Sequence, residues 1–268
     1  MIIDFHTHVY PEKIAHKLMK ELADTHYWGH YTEGTIDSLL SSMKEAGIDL
    51  SLTMPVVTRP SQYASINAFA LSQMEIPGLL PFGGIHPDCE DIKGKLKDLK
   101  SMGFPGIKLH HDWIDTFVDD EKSIYLIRQA LEEDLIVLLH AGYDGAFPDV
   151  IHCVPERTLR LLESLEDPGH DIHRLVIAHS GGHLEHADVK KYLLGAPCYF
   201  DISLSQMYLP ARSLRELIAG HGIDRLLFGS DSPYGGQKSS VEGLKARPIT
   251  QNEYNKITEK NAKKLLRL

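Results

Sequence analysis

The stretch IIDFHTH, residues 2–8, joins an apolar run to an acid and to two histidines separated by one threonine. Side chains on a β-strand alternate, so His6 and His8 face together, their Cα atoms roughly 7 Å apart from a rise of about 3.3 Å per residue. Two imidazoles can lean toward one ion across that gap. Alone, an H-x-H pair is weak evidence, because surface strands often carry two exposed polar residues on one face. The way the other strands end decides the matter.

Seven more short runs rich in Val, Ile and Leu read as strands: LSLTMPVV (50–57), LLPFGGI (79–85), GIKLHH (106–111), LIVLLHA (135–141), RLVIAHS (174–180), CYFDISL (198–204) and RLLFGSD (225–231). Between them lie segments of helical period, among them TIDSLLSSMKEAG (35–47), EKSIYLIRQALEED (121–134), PERTLRLLESLED (155–167) and LPARSLRELIAGHG (209–222). SPYGGQKSS (232–240) reads as a loop, and ITQNEYNKITEKNAKKLLRL (249–268) as a closing helical region. Eight strands with helical crossovers predict an α/β fold, a (β/α)8 TIM barrel, with residues 1–268 as a single domain. The competing doubly wound sheet lacks its G-x-G-x-x-G after the first strand.

Composition narrows the function classes. The 268 residues carry a formal net charge of −9, which argues against a nucleic-acid surface. No apolar run approaches the roughly 18 residues that span a bilayer. Met1 runs directly into a strand with no basic n-region, so a cytoplasmic location is expected. Cys89, Cys153 and Cys198 are odd in number and widely spaced, as reduced packing thiols are. The chain also holds 16 histidines, more than its size leads one to expect.

In a parallel sheet buried on both faces the strands should be almost continuously apolar. Here they break that pattern at one end: His6 and His8, Lys108 and His110, His140, His179 and Asp231 all fall at the C-terminal ends of their strands. That is the face where barrels carry active sites. Three or four histidines with a carboxylate suit zinc, with manganese, iron and cobalt as alternatives. Such a cation lowers the pKa of a bound water and polarises a carbonyl, and Asp231 is placed to act as general base.

Each residue also has a plainer reading. A strand-end histidine such as His140 or His179 is more often hydrogen-bonded to backbone than ligated, and it is the joint placement that carries weight. Lys108 is as readily a barrel-mouth cation for an anionic substrate. His86 reads as structural or as orienting a ligand, and His183 and His186 in HSGGHLEH as solvent-facing. Asp201 in YFDIS closes its strand and reads either as substrate-contacting or as a buried hydrogen-bond partner, with neither role assigned. SQMYLP (205–210) reads as a lid or pocket wall, and the loops RPSQY (59–63), HDWIDTF (111–117) and GYDGAFPD (142–149) as pocket-shaping.

DFHTH, GIKLHH, LLHAG, AHSGG and FGSDSP, in that order and with the closing ITEKNAKKLLRL, resemble the amidohydrolase superfamily of metal-dependent TIM-barrel enzymes. The likeness is nearest to its amidohydrolase-2 branch, which includes aminocarboxymuconate-semialdehyde decarboxylase-like enzymes. The resemblance implies that His6, His8, His140 and Asp231 bind metal. It implies that His179 either holds a second ion or is catalytic beside the first, and that Lys108 is in the setting where binuclear members carry a bridging carboxylated lysine. One or two ions fit, and one is preferred. The first functional expectation is a hydrolase that activates water against an amide, ester or lactone bond of a small molecule. The alternative is a non-oxidative decarboxylase or hydratase acting on an unsaturated or aromatic carboxylate. A histidinol-phosphatase-type phosphoesterase ranks low, because its ending is replaced here by GSDSP. A zinc-bearing structural or sensor barrel is the non-catalytic reading. A small-molecule partner is thus expected, anionic if Lys108 meets it, with no nucleic acid or membrane; a homo-oligomer is left open.

Overall fold

The computed structural model describes residues 1–25, 30–166, 171–205 and 210–268. The chain alternates strand and helix: β1 (Ile3–Thr7), α1 (Glu12–Thr25), α2 (Ile36–Ala46), β2 (Leu50–Thr53), α3 (Tyr63–Leu71), β3 (Leu79–Pro81), β4 (Gly83–Gly84), α4 (Ile92–Ser101) and β5 (Gly106–Leu109). There follow α5 (Glu121–Glu132), β6 (Ile136–Leu139), α6 (Pro155–Ser164), β7 (Leu175–Ile177), α7 (His186–Tyr192), β8 (Tyr199–Asp201) and β9 (Leu226–Leu227). The expected third strand is split at Phe82 into β3 and β4, so eight strand positions appear as nine segments.

The strands pair in parallel as β1-β2-β3 and β4-β5-β6-β7-β8-β9. Phe82 N–H donates to Thr53 O at 2.9 Å, bonding the residue between β3 and β4 to β2. At the other end Phe5 N–H donates to Phe228 O at 2.8 Å and Asp231 N–H to His6 O at 2.8 Å, which joins the last strand back to the first. The result is the expected TIM-barrel arrangement of an α/β chain.

Two layers of apolar side chains hold it. Ile3, Phe5, Leu52, Phe82, Leu138, Val176 and Leu227 pack together inside the sheet, and residues such as Leu96, Ile107, Val137, Leu161, Ile177 and Phe200 meet the helices outside. This explains why strand residues of both parities are apolar. Phe5 and Phe82 meet edge to face, with ring centroids 6.1 Å apart. Gly106 lets β5 approach them, since a Cβ there would lie 2.3 Å from Ile136 O and 2.7 Å from the Phe82 ring.

Local signals place the helices. Thr35 caps α2 through a reciprocal box with Ser38, and Gly47 ends it with φ 69°. Thr250 makes the same box with Glu253 at the start of the closing helical region, which runs to Leu266 and includes a π turn over Lys256–Lys260. One expectation needs correction. SPYGGQKSS is loop only in its first half, because Gln237–Lys245 forms a helix whose Val241 and Leu244 are buried. In SQMYLP, residues 206–209 lie outside the described residues, as does Asp167.

Replacing Phe82, which is fully buried, removes the contact at the one interrupted strand. Phe82→Ala should cost about 3–5 kcal/mol, read as a lowered urea midpoint with an unchanged slope.

Candidate metal centre and cavity

The sequence-predicted residues converge at the C-terminal ends of the strands. β1 carries a register irregularity between Asp4 and Thr7, where Phe5 and His6 oppose the single Leu52. Bulges of this kind re-aim side chains beside active sites. Thr7 Oγ1 donates to Leu52 O at 2.8 Å, while His6 and His8 turn the other way with Nε2 atoms 3.2 Å apart. Asp231 Oδ1 lies 3.3 Å from His6 Nε2 and 3.2 Å from His8 Nε2.

The outer hydrogen bonds fix what these atoms present. His8 Nδ1 lies 2.7 Å from Met54 O, and a carbonyl only accepts, so Nδ1 carries the hydrogen and Nε2 a lone pair. His6 Nδ1 lies 2.9 Å from Asp201 Oδ2. Burial opposes ionisation of Asp201, but His6, His179 and the Ser203 hydroxyl hold its carboxyl well below the usual carboxylate range. Asp201 therefore accepts from His6 Nδ1–H and leaves His6 Nε2 as a lone pair too. Burial pushes His8 down to about 4 against the pull of Asp231. Burial likewise opposes ionisation of Asp231, yet the imidazoles of His6, His179 and His8 hold its carboxyl low. Two imidazole lone pairs and a carboxylate thus face one point, the donor set of a divalent cation.

Lys108 is placed differently from a mouth cation. It is buried, 1% exposed, and its Nζ donates to His6 Nε2 at 3.1 Å. Burial lowers its pKa to about 8, opposed by Asp231 and Asp201. His179 and His140 form a neighbouring pair, His179 Nε2 to His140 Nδ1 at 3.1 Å. His179 Nδ1–H donates to Ser203 Oγ at 2.8 Å, and the Ser203 hydroxyl donates to Asp201. Burial drives His179 down to about 3 and His140 far down as well, so both rings are neutral. His140 is not among the groups that meet His6, His8 and Asp231 at one point. Both His179 and Asp231 adopt left-handed backbone, φ 56° and 64°, a conformation that costs a side-chain-bearing residue about 1–2 kcal/mol.

Several neighbours were given no role of their own by the sequence. His110 Nε2 lies 3.1 Å from Asp144 Oδ2, and its ring stacks on His140 at 3.9 Å with 9° between planes. His110, His140 and Asp144 lie close enough to hold an ion. Stacked imidazoles, however, aim their in-plane lone pairs along parallel directions, so both rings cannot serve one cation as they stand. His183, expected to face solvent, is buried and lines the cavity. The cause is Gly142, where a Cβ would sit 2.1 Å from His183 N. His183 N–H donates to Ala141 O at 2.8 Å and Tyr143 N–H to His183 O at 3.0 Å, which pins the loop after β7 against the loop after β6. His186 is half-buried at the start of α7, and His86 Nδ1 accepts from Asp88 N–H at 3.1 Å.

Above the centre opens a cavity of about 510 Å³. His8, Asp231 and His140 form part of its wall, and the three expected loops supply Gln62, Trp113, Tyr143 and Asp144.

The amidohydrolase family model matches residues 3–268. The chain belongs to the amidohydrolase-2 family. A comparison with curated proteins by sequence finds no match. Among solved structures, this amidohydrolase-family chain is similar to a 2,6-dihydroxybenzoate decarboxylase complexed with 2,6-dihydroxybenzoate, at TM-score 0.74 and 16% identity, covering 100% of this chain and 99% of that one. It is also similar to a probable 2-pyrone-4,6-dicarboxylic acid hydrolase from Acinetobacter baumannii with citric acid bound, at 0.69 and 17%, covering 100% and 99%. A third is a dihydroxybenzoic acid decarboxylase from Polaromonas sp. JS666 with bound manganese and 2-nitroresorcinol, at 0.69 and 14%, covering 100% and 97%. At these identities the likeness is one of fold. Among the described residues of the amidohydrolase-family chain, no helix is long and apolar enough to cross a membrane.

Two outcomes follow from the centre. Asp201→Asn should weaken divalent-cation affinity about 10–100-fold in a chelator-competition titration, because His6 loses its anionic partner. The second concerns pH. His8, His183 and His221 are each pushed by burial from 6.5 to about 4, so between those values the unfolded chain binds more protons than the fold. The stability of metal-free protein should therefore fall as pH drops from about 6.5 toward 4, measured by urea midpoints.

Proposed function

We propose that the chain is a metal-dependent hydrolase that attacks an amide, ester or lactone bond of a small molecule. The observation that carries this reading is the convergence of His6 Nε2, His8 Nε2 and Asp231 Oδ1, with both imidazole tautomers fixed from behind by Asp201 and Met54 O. These three residues would hold one divalent cation, zinc by donor chemistry, with manganese, iron or cobalt as alternatives. When bound, such a cation acidifies water and polarises a carbonyl oxygen.

The remaining work falls to the chain's own groups. Asp231, ionised and beside the cavity, accepts the proton of the attacking water and returns it to the leaving group. Asp201 holds His6 in register and, through Ser203, holds His179 in one tautomer. His179, with His140 beside it, orients the reacting carbonyl. Lys108 Nζ lies 3.1 Å from His6 Nε2, so its positive charge stands beside the ligating nitrogens and is absent from the cavity wall. The buried, unpaired Cys89, Cys153 and Cys198 fit a reducing compartment such as the cytoplasm.

Decarboxylation is the second reading, favoured by the decarboxylases among the structures of the same fold. Zinc- or manganese-loaded protein screened against anilides, aryl esters, lactones and unsaturated or aromatic carboxylates in 18O-water separates the two. Hydrolysis predicts product carrying 18O and no carbon dioxide, with Asp231→Asn and His8→Ala each lowering kcat/KM by about 10²–10⁴-fold. Release of carbon dioxide without 18O, or full turnover by metal-stripped protein, would sink the hydrolase reading.

A further inference from the structure

We infer that the end of the substrate lying away from His6, His8 and Asp231 is apolar and carries no carboxylate or phosphate; this rests on the hydrolase reading and adds a substrate class to it. The cavity, about 510 Å³, is much larger than a scissile amide and falls in the range of about 300–1,000 Å³ typical of small-molecule pockets. Its apolar wall includes Ile14 and Met19 of α1, Ile66 and Phe69 of α3, and Trp113. Trp113 is held edge-on by Phe147, with ring centroids 5.0 Å apart, so it offers a fixed aromatic surface.

Charge points the same way. Among the described residues the lining contains no Lys or Arg, and residues 21–29 and 206–209, ELADTHYWG and QMYL, contain none either. Arg59 precedes the lining loop but is exposed. Two carboxylates, Asp144 and Asp231, do line the cavity. The imidazoles of His30 and His183 line it as well. A cation at the His6/His8/Asp231 corner would serve the reacting end. An anion at the distal end would lose its water against Met and Phe side chains and approach the carboxylate of Asp144. Two of the similar structures are named for carboxylates, 2,6-dihydroxybenzoate and 2-pyrone-4,6-dicarboxylic acid. This chain's apolar wall is built for a different distal group.

The probes are acetanilide and 4-acetamidobenzoate, which share the reacting acetyl amide and differ only in a distal carboxylate. Binding to the full chain is measured by calorimetry without metal and with zinc, and hydrolysis is followed separately on the zinc-loaded protein. The neutral probe should bind at least about tenfold more tightly than the carboxylate. Phe69→Arg, or Ile66→Lys should the first not fold, should raise affinity for the carboxylate at least about tenfold and reverse the order. Equal or tighter binding of the carboxylate by the unaltered chain overturns the inference, and so does failure of the neutral probe to bind. Binding of the neutral probe without hydrolysis counts against the hydrolase reading and leaves the distal-end assignment standing. Hydrolysis with a preference for the carboxylate does the reverse.

Discussion

The carboxylate of Asp201 is fully buried and ionised, and the geometry of the centre depends on its contacts. It accepts from His6 Nδ1, from the Ser203 hydroxyl and from the backbone amides of Ser203 and His179. Hydrogen bonds to a charged group contribute about 1.5–3 kcal/mol each, which offsets the cost of burying the charge. Because those donors come from β1 and from the ends of β7 and β8, one anion sets the ring orientation on strands that are far apart in sequence. Without it, His6 could turn its hydrogen toward His8, and the three convergent electron pairs would become two.

The backbone is bent to serve the same centre. β1 bulges at the residues that precede His8, and His179, Ser180 and Asp231 all lie in left-handed conformations. Residues with side chains avoid that region, so the surrounding sheet must over-determine it. It does so through continuous packing: the strand interiors beneath are apolar on both faces and buried. The rigid lower barrel and the strained rim are two parts of one design, in which core burial holds polar groups where they would not otherwise stay.

Much of this was legible in the sequence, and the reason is local. Period-two alternation placed His6 with His8, and the breaking of apolar runs at Lys108, His140, His179 and Asp231 marked one end of the barrel. Neither signal requires knowledge of distant contacts. What escaped was non-local. Asp201 ends its strand as the other site residues do, but its partner His6 is 195 residues away. His183 was read as exposed because its helix-like spacing suggested a surface, whereas the inward position is imposed by contact with Gly142. Lys108 reads as readily as a mouth cation as a metal-bridging residue, and its 3.1 Å contact with His6 Nε2, from a strand about a hundred residues away, is what puts its ammonium beside the ligating nitrogens. The helix Gln237–Lys245 was hidden by the glycines just before it.

The clasp between the segments after β6 and β7 has a consequence for how such a cavity can diversify. Tyr143 and Asp144 stand on one loop and His183 on the other, yet each segment's backbone is spoken for by its neighbour. The two walls therefore cannot be lengthened, shortened or swapped independently. A change of ligand preference on this side of the barrel must either keep both backbones and exchange side chains alone, or replace the two loops as a matched pair.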